Sequence, residues 1–181
     1  LLQDARRLSR LSGDLLDLAK ASYDAYGISF KDLRLDETLM DARQVILRAN
    51  PEYRADLVFE KEIEEGDRIV IVGNEYLLKV AFSNLIENAC KFSPDHRCWI
   101  GIGFTDGKTI LRFRDRGIGI PAEDLATIFT PFFRGGNKRY APGNGIGLSL
   151  TLRIITLHQG TISVESRQGE GTTFTIWFSH P

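Results

Sequence analysis

Two long strand pairs, each closed by a glycine turn, constrain this chain more than any other feature. "RCWIGIGF" and "TILRFRD" flank Asp106-Gly107, while "GTISVES" and "TTFTIWFS" flank the turn "RQGEG". Alternating apolar residues around such turns read as β-hairpins. Hairpins are antiparallel, so an all-parallel sheet is excluded. Helical periodicity fills the gaps: about 36–49 with Asp36 as N-cap and Pro51 beyond the end, Glu75–Phe92 stopping before Pro94, and about 148–160 closing at Gly160. Further strand-like runs stand at "DLVFEKEI" and, after "EEGD", at "RIVIVG". The expected architecture is an α/β two-layer sandwich: a single mixed sheet with helices on one face.

The N-terminal stretch has another character. Leu8, Leu11, Leu15 and Leu18 form a narrow seam over residues 1–22. Such a seam wants a partner helix, or it lies as an amphipathic helix on the domain itself. "YDAYGISFKD" then breaks the periodicity, with Gly27 at the junction. The chain starts in mid-pattern without Met, as a piece of a larger protein would.

Composition narrows the function classes. Of 181 residues, 43% are hydrophobic and 26% charged, as in ordinary globular chains, and the formal net charge is −1. That balance gives no general pull toward nucleic acid or anionic membrane. No apolar run approaches a membrane span. Cys90 and Cys98 lack metal-ligand spacing, so reduced, partly buried thiols of a reducing compartment are expected.

The second helix carries the most chemistry. At 100° per residue, Leu78, Ala81, Phe82, Leu85, Ala89 and Phe92 make one stripe for the sheet. Asn84, Glu87, Asn88 and Lys91 align on the adjacent stripe by spacings of three and four. Periodicity alone also fits a solvated face with a Glu87–Lys91 ion pair. The chemistry favours a polar ledge, because amide oxygens suit Mg²⁺ and an ammonium suits phosphate.

Two glycine segments accompany the ledge. "RDRGIGIP" puts Asp115 at a strand end, where a carboxylate can accept from the exocyclic amine of adenine. Gly117 and Gly119 permit the close backbone approach that a flat ring requires. "GNGIGLSL" spaces Gly143, Gly145 and Gly147 ahead of a helix whose positive end favours phosphate. It is neither the dinucleotide fingerprint, which needs G-x-G-x-x-G after a strand, nor a P-loop, which ends in Gly-Lys-Ser/Thr. Between the two lies "IFTPFFRGGNKRYAP". It reads as a lid with aromatic anchors at Phe129, Phe132 and Phe133, hinges at Gly135 and Gly136, and cations at Arg134, Lys138 and Arg139.

"NLIENACKFS", "DRGIGIP", "IFTPFFRG" and "GNGIGLSL" resemble, in order and spacing, the asparagine, first glycine, phenylalanine and second glycine boxes of the sensor histidine kinase catalytic domain. The closing segment from "LHQGTISVES" onward is similar too, so the resemblance covers about 27–181. It implies the Bergerat ATP-binding fold, shared with gyrase, the Hsp90 chaperones and the MutL repair proteins. It implies ATP and Mg²⁺ as cofactors, with Asn88 as the metal ligand, Asn84 and Lys91 near the phosphates and Asp115 on adenine. Gly117 and Gly119 would shape the base pocket, and Gly143, Gly145 and Gly147 would back the lid. Phe92, Ile120, Phe129, Ile146 and Leu148 would border the nucleotide, with Thr173 near the base. Arg134 would steady developing charge.

By the same resemblance, residues 1–22 are similar to the second helix of the family's dimerisation and phosphotransfer hairpin. The implied partners are a response regulator receiver domain, the chain's own upstream phosphoacceptor helix, and a second copy in a homodimer. The module would face the cytoplasm, whether or not the parent protein is membrane-anchored. One departure stands out. His96, His158 and His180 all lack the family's acceptor context, a His followed by Glu or Asp. His158 reads as a helix C-terminal residue favoured by the dipole, so the acceptor is expected upstream of this chain. An ATP-hydrolysing machine of the gyrase or MutL kind would carry a carboxylate four residues before the metal Asn. Asn84 holds that place, leaving Glu87 as a candidate for acting on an attacking group. A non-catalytic dimeric scaffold with a vestigial site is the remaining alternative.

Overall fold

A computed structural model describes residues 29–135 and 145–180, together with Ser9, Ser12, Gly13 and Leu16, which are helical. The predicted seam leucines, Leu8, Leu11, Leu15 and Leu18, lie outside the described residues, as do Gly136, Lys138, Arg139 and Gly143.

The elements are β1 (Lys31–Arg34), α1 (Leu35–Ala49), β2 (Arg54–Phe59), β3 (Val70–Gly73), α2 (Glu75–Lys91), β4 (Arg97–Thr105), β5 (Lys108–Arg114), α3 (Gly147–Leu157), β6 (Thr161–Arg167) and β7 (Gly171–Ser179). Five strands form one mixed sheet in the order β2-β4-β5-β7-β6. β2 runs parallel to β4, and the other neighbours are antiparallel. β1 and β3 pair antiparallel in a separate ribbon, so the single expected sheet is two. β1 falls in the segment that sequence periodicity assigns to a junction.

Both predicted hairpins form. Asp106 and Gly107 take φ of 45° and 70°, the two left-handed residues that match strand twist across a two-residue loop. Ile100, Ile102, Leu111, Phe113, Phe174 and Ile176 turn to the helices and build the core with them. Trp99, Arg112, Arg114 and Thr173 take the opposite face by strand alternation.

α2 starts where predicted, because the Asn74 side chain accepts from the Leu77 N–H at 2.9 Å. α1 does not start at the predicted cap. Arg34 is its N-cap, and Asp36 lies inside the first turn, where it accepts from the Arg34 guanidinium at 2.8 and 3.2 Å. A carboxylate in the first turn opposes the positive helix end just as well.

Every member of the predicted α2 stripe is buried except Phe92, which caps the helix half-exposed. Leu77, Ile86 and Cys90 are buried as well. They lie off the stripe because α2 is the central helix, packed against α1 and α3 as well as the sheet. Phe82 meets Phe113 of the sheet at 6.0 Å between ring centroids. Cys90 and Cys98 are free and buried, as expected. Burial pushes the Cys90 thiol up to about 12 and Cys98 well above its usual value, so both stay protonated and inert.

His158 departs from its sequence reading. It caps α3, but it is buried and uncharged rather than a cation on the helix dipole. Burial holds its pKa down against the pull of two backbone hydrogen bonds. The Asn74 N–H donates to Nε2 at 2.9 Å, which leaves Nδ1–H to donate to the Ile154 carbonyl at 2.7 Å. The ring thus pins the end of α3 to the start of α2. With both nitrogens engaged, it is not available as a phosphoryl acceptor.

Candidate nucleotide-binding site

The predicted ledge exists and is half-buried. Asn84, Glu87, Asn88 and Lys91 are all of intermediate exposure, between the buried stripe of α2 and solvent. The Asn84 Nδ2 donates to the Gly147 carbonyl at 3.2 Å, tying the ledge to the first turn of α3. That first turn has Ile146 as N-cap, and no side chain caps it. Its N–H groups and the positive helix end therefore stand beside the ledge, a ready setting for an anion. The side chains of Glu87 and Asn88 make no hydrogen bond among the described residues. The Lys91 ammonium lies 5.1 Å from the Phe92 ring centroid.

The donor set fits a hard cation shared with a phosphate ligand. Among the described residues no cluster of three or more His, Cys, Asp or Glu could hold a metal alone. An uncommitted amide beside a carboxylate suits Mg²⁺, which typically takes one or two protein oxygens and completes its shell with water and phosphate.

Asp115 sits at the end of β5, only 6% exposed. Its Oδ1 accepts from the Gly117 N–H at 2.7 Å and from the Thr172 N–H at 3.2 Å. Oδ2 makes no hydrogen bond among the described residues. No fully buried side-chain oxygen among the described residues lacks a partner, so Oδ2 is not sealed from solvent. Burial raises the Asp115 pKa to about 6 against the downward pull of the two N–H groups. The folded value lies above the unfolded one, so stability from the neutral carboxyl is lost as pH rises through about 6. A ligand donor at Oδ2 offsets that cost. With adenine donating to Oδ2, as the family resemblance implies, adenine-nucleotide affinity should fall about fourfold from pH 7.5 to 5.5 beyond any fall seen in Asp115→Asn, which cancels phosphate titration. Calorimetry at both pH values checks this, and parallel pH profiles for the two proteins would contradict it.

The glycines of the first loop serve the protein's own backbone. A Cβ on Gly117 would overlap the Phe92 carbonyl, which accepts from the Ile118 N–H at 3.0 Å. Gly119 has φ of 69°, and a Cβ there would overlap the Arg167 carbonyl. The close approach inferred from sequence is real, but its object is the C-cap of α2 and the β6–β7 turn. Gly145, with φ of 73°, presses on the Phe132–Phe133 backbone, and its carbonyl accepts the Phe132 N–H at 2.8 Å. The phenylalanine segment and the second glycine segment are thereby joined.

The sequence profile of the histidine kinase-, DNA gyrase B-, and HSP90-like ATPase family matches residues 73–181, which contain the ledge, Asp115 and the start of α3. The chain belongs to this ATPase family. The curated relatives it matches are sensor histidine kinases. It is 31% identical over 178 residues to sensor histidine kinase YkoH of Bacillus subtilis, covering 97% of this chain and 37% of the relative. It is 32% identical over 178 residues to sensor histidine kinase RcsC of Escherichia coli, covering 93% and 18%. The chain thus spans a minor part of these relatives. Among solved structures, a mycobacterial sensor histidine kinase, MprB, superposes with a TM-score of 0.70 at 23% identity, covering 83% of this chain and 97% of that one. Full-length ShkA in complex with AMPPNP gives 0.76 at 21%, covering 97% and 36%. These structures carry the same fold.

Within this ATPase domain the predicted residues are not all where the sequence put them. Thr173 pairs with Arg114 and faces away from the helices. Thr172, one position earlier, is buried and bonded to Asp115. Phe129 and Phe133 pack on the core, Phe129 edge-on to Phe174 at 6.2 Å. Phe132 is no anchor, being 62% exposed with φ of 64°. Ile146 is buried at the cap of α3, while Leu148 and Ile120 pack half-buried on the core. Arg134 lies half-exposed at the base of the predicted lid. A separate depression of about 390 Å³, lined among others by Lys31, Arg34, Val70 and Glu75, lies at the β1–β3 ribbon and contains none of the predicted residues.

No helix among the described residues is long and apolar enough to cross a membrane.

Proposed function

We propose that this domain binds Mg-ATP across the α2 ledge and transfers the γ-phosphoryl to a histidine on a separate helical hairpin, for onward transfer to an aspartate of a response regulator. The observation that supports it best is the Asn84–Gly147 hydrogen bond. It sets the amide and carboxylate row beside the uncapped start of α3, while the buried Asp115 keeps Oδ2 uncommitted among the described residues.

In this reading Asn88 would hold a Mg²⁺, which would supply charge to neutralise the phosphates. Lys91 and Arg134 supply point charges to the phosphates, and the N–H groups opening α3 receive them. Phosphoryl transfer needs position and charge stabilisation more than covalent help, and a neutral imidazole needs no strong base. Hydrolysis fits less well. The position four residues before Asn88 is Asn84, an amide already donating to Gly147, and it cannot act as a base toward water. The partners follow: a receiver domain, an upstream phosphoacceptor helix and a second copy joined through the leucine seam of residues 1–22.

The parent protein, with the segment preceding this chain, should acquire an acid-labile, base-stable phosphoryl group from γ-labelled ATP and Mg²⁺. Steady release of phosphate with no such label would favour hydrolysis. Binding without either would favour a scaffold.

A further inference from the structure

The wall behind Asp115 is a hydrogen-bond network centred on Ser166, a residue that none of the sequence boxes contains. Ser166 and Thr172 are cross-strand partners on β6 and β7. The Ser166 Oγ lies 2.8 Å from the Ile120 N–H, 2.9 Å from the Gly171 carbonyl and 2.8 Å from the Thr172 Oγ1. A serine hydroxyl has one proton and two lone pairs. The Ile120 N–H is a donor only and the Gly171 carbonyl an acceptor only. All three contacts are therefore satisfied in one arrangement: Ser166 donates to Gly171, accepts from Ile120 and accepts from Thr172. The Thr172 proton is then committed to Ser166, and its Oγ1 is left an acceptor.

The same network reaches both ends of the base site. Ile120 closes the first glycine loop, whose Ile118 carbonyl also accepts the Gly169 N–H at 2.7 Å. The Thr172 backbone donates its N–H to Asp115 Oδ1 at 3.2 Å and accepts the Asp115 N–H at 2.9 Å. One hydroxyl thus fixes the loop, the threonine and, through the threonine backbone, the carboxylate.

We propose that Ser166 is a positioning residue for base recognition, holding Thr172 and the first glycine loop so that Asp115 meets the exocyclic amine of adenine. The proposal rests on adenine lying at Asp115, as above. It predicts a loss confined to nucleotides that use the carboxylate. Removing the hydroxyl leaves the Ile120 N–H and the Thr172 hydroxyl without their partner, and the carboxylate loses its fixed direction.

The test is nucleotide affinity by calorimetry for wild type, Ser166→Ala, Ser166→Thr, Asp115→Asn and the double variant Ser166→Ala/Asp115→Asn. The two ligands are ATP and purine riboside triphosphate, which lacks the exocyclic amine. Ser166→Ala should weaken ATP about tenfold, the scale of a hydrogen bond to a charged group. It should leave the deaminated analogue nearly unchanged. Ser166→Thr should restore ATP binding, and Ser166→Ala should add little in the Asp115→Asn background. A merely structural role would weaken both nucleotides alike and lower the melting temperature in proportion; that result, or unaltered ATP binding, overturns the proposal. Failure of the base-site reading shows differently: wild type would bind the two nucleotides equally, and Asp115→Asn would be silent.

Discussion

Asn88→Ala should cost Mg²⁺-dependent ATP affinity about a hundredfold or more, while leaving the domain as stable as wild type or slightly more so. The two signs come from the same position. Asn88 sits in the body of α2, where asparagine is a poorer helix former than alanine by about half a kcal/mol. Its side chain gives nothing back to the fold, because it bonds to no described residue, and its backbone carbonyl, which receives the Phe92 N–H at 3.0 Å, is untouched by the change. A half-buried amide that weakens its helix and satisfies nothing is best accounted for by a ligand. Asn84→Ala is the contrast. Its Nδ2 holds the Gly147 carbonyl, so that variant loses a fold contact as well as a site residue. Titrating ATP with and without Mg²⁺, beside a thermal melt, separates the cases. If Asn88→Ala bound Mg-ATP normally, or unfolded several degrees early, the metal assignment would be wrong.

What the sequence showed and what it hid divide along physical lines. Local signals were legible. The two left-handed residues at Asp106-Gly107 specify their hairpin by themselves, and spacings of three and four put Asn84, Glu87, Asn88 and Lys91 in a row regardless of what packs nearby. Long-range partners were not. β3 looks like a strand, but its pairing with the four residues of β1 depends on how the ribbon meets α1, which no local pattern encodes. The burial of Ile86 and Cys90 could not be foreseen from one amphipathic stripe, since α2 is flanked on two sides by helices placed by the rest of the chain. Thr172 and Thr173 show the limit most simply. Strand side chains alternate, so a one-residue uncertainty in register exchanges the pocket face for the opposite one. Ser166 carries no sequence signal of its own, because its role arises only once β6 pairs with β7.

The glycines offer the second large effect, in opposite directions at two places that sequence alone treats alike. Gly119→Ala should destabilise the domain by about 2–5 kcal/mol. A left-handed backbone costs an L-residue roughly 1–2 kcal/mol, and driving a methyl onto the Arg167 carbonyl adds overpacking of about 1–3 kcal/mol. For a chain of this size that is a fall in melting temperature on the order of 10 °C. Little can move aside, because the obstruction is backbone: Gly169 on the next turn already donates to Ile118 at 2.7 Å. Gly147→Ala should behave oppositely. The nearest atoms an added Cβ would meet belong to the Asn84 side chain, from 3.6 Å, an ordinary contact, and alanine favours the first turn of α3 over glycine. Stability should hold or rise slightly. On the proposed binding mode nucleotide affinity should nevertheless drop, because the methyl would crowd the Asn84 side of the helix start, where the phosphates are proposed to bind. Melting and binding curves on the two variants decide it. A Gly147→Ala protein that melts early but binds normally would mean that this glycine serves packing, and the phosphates would have to be sought elsewhere on the domain.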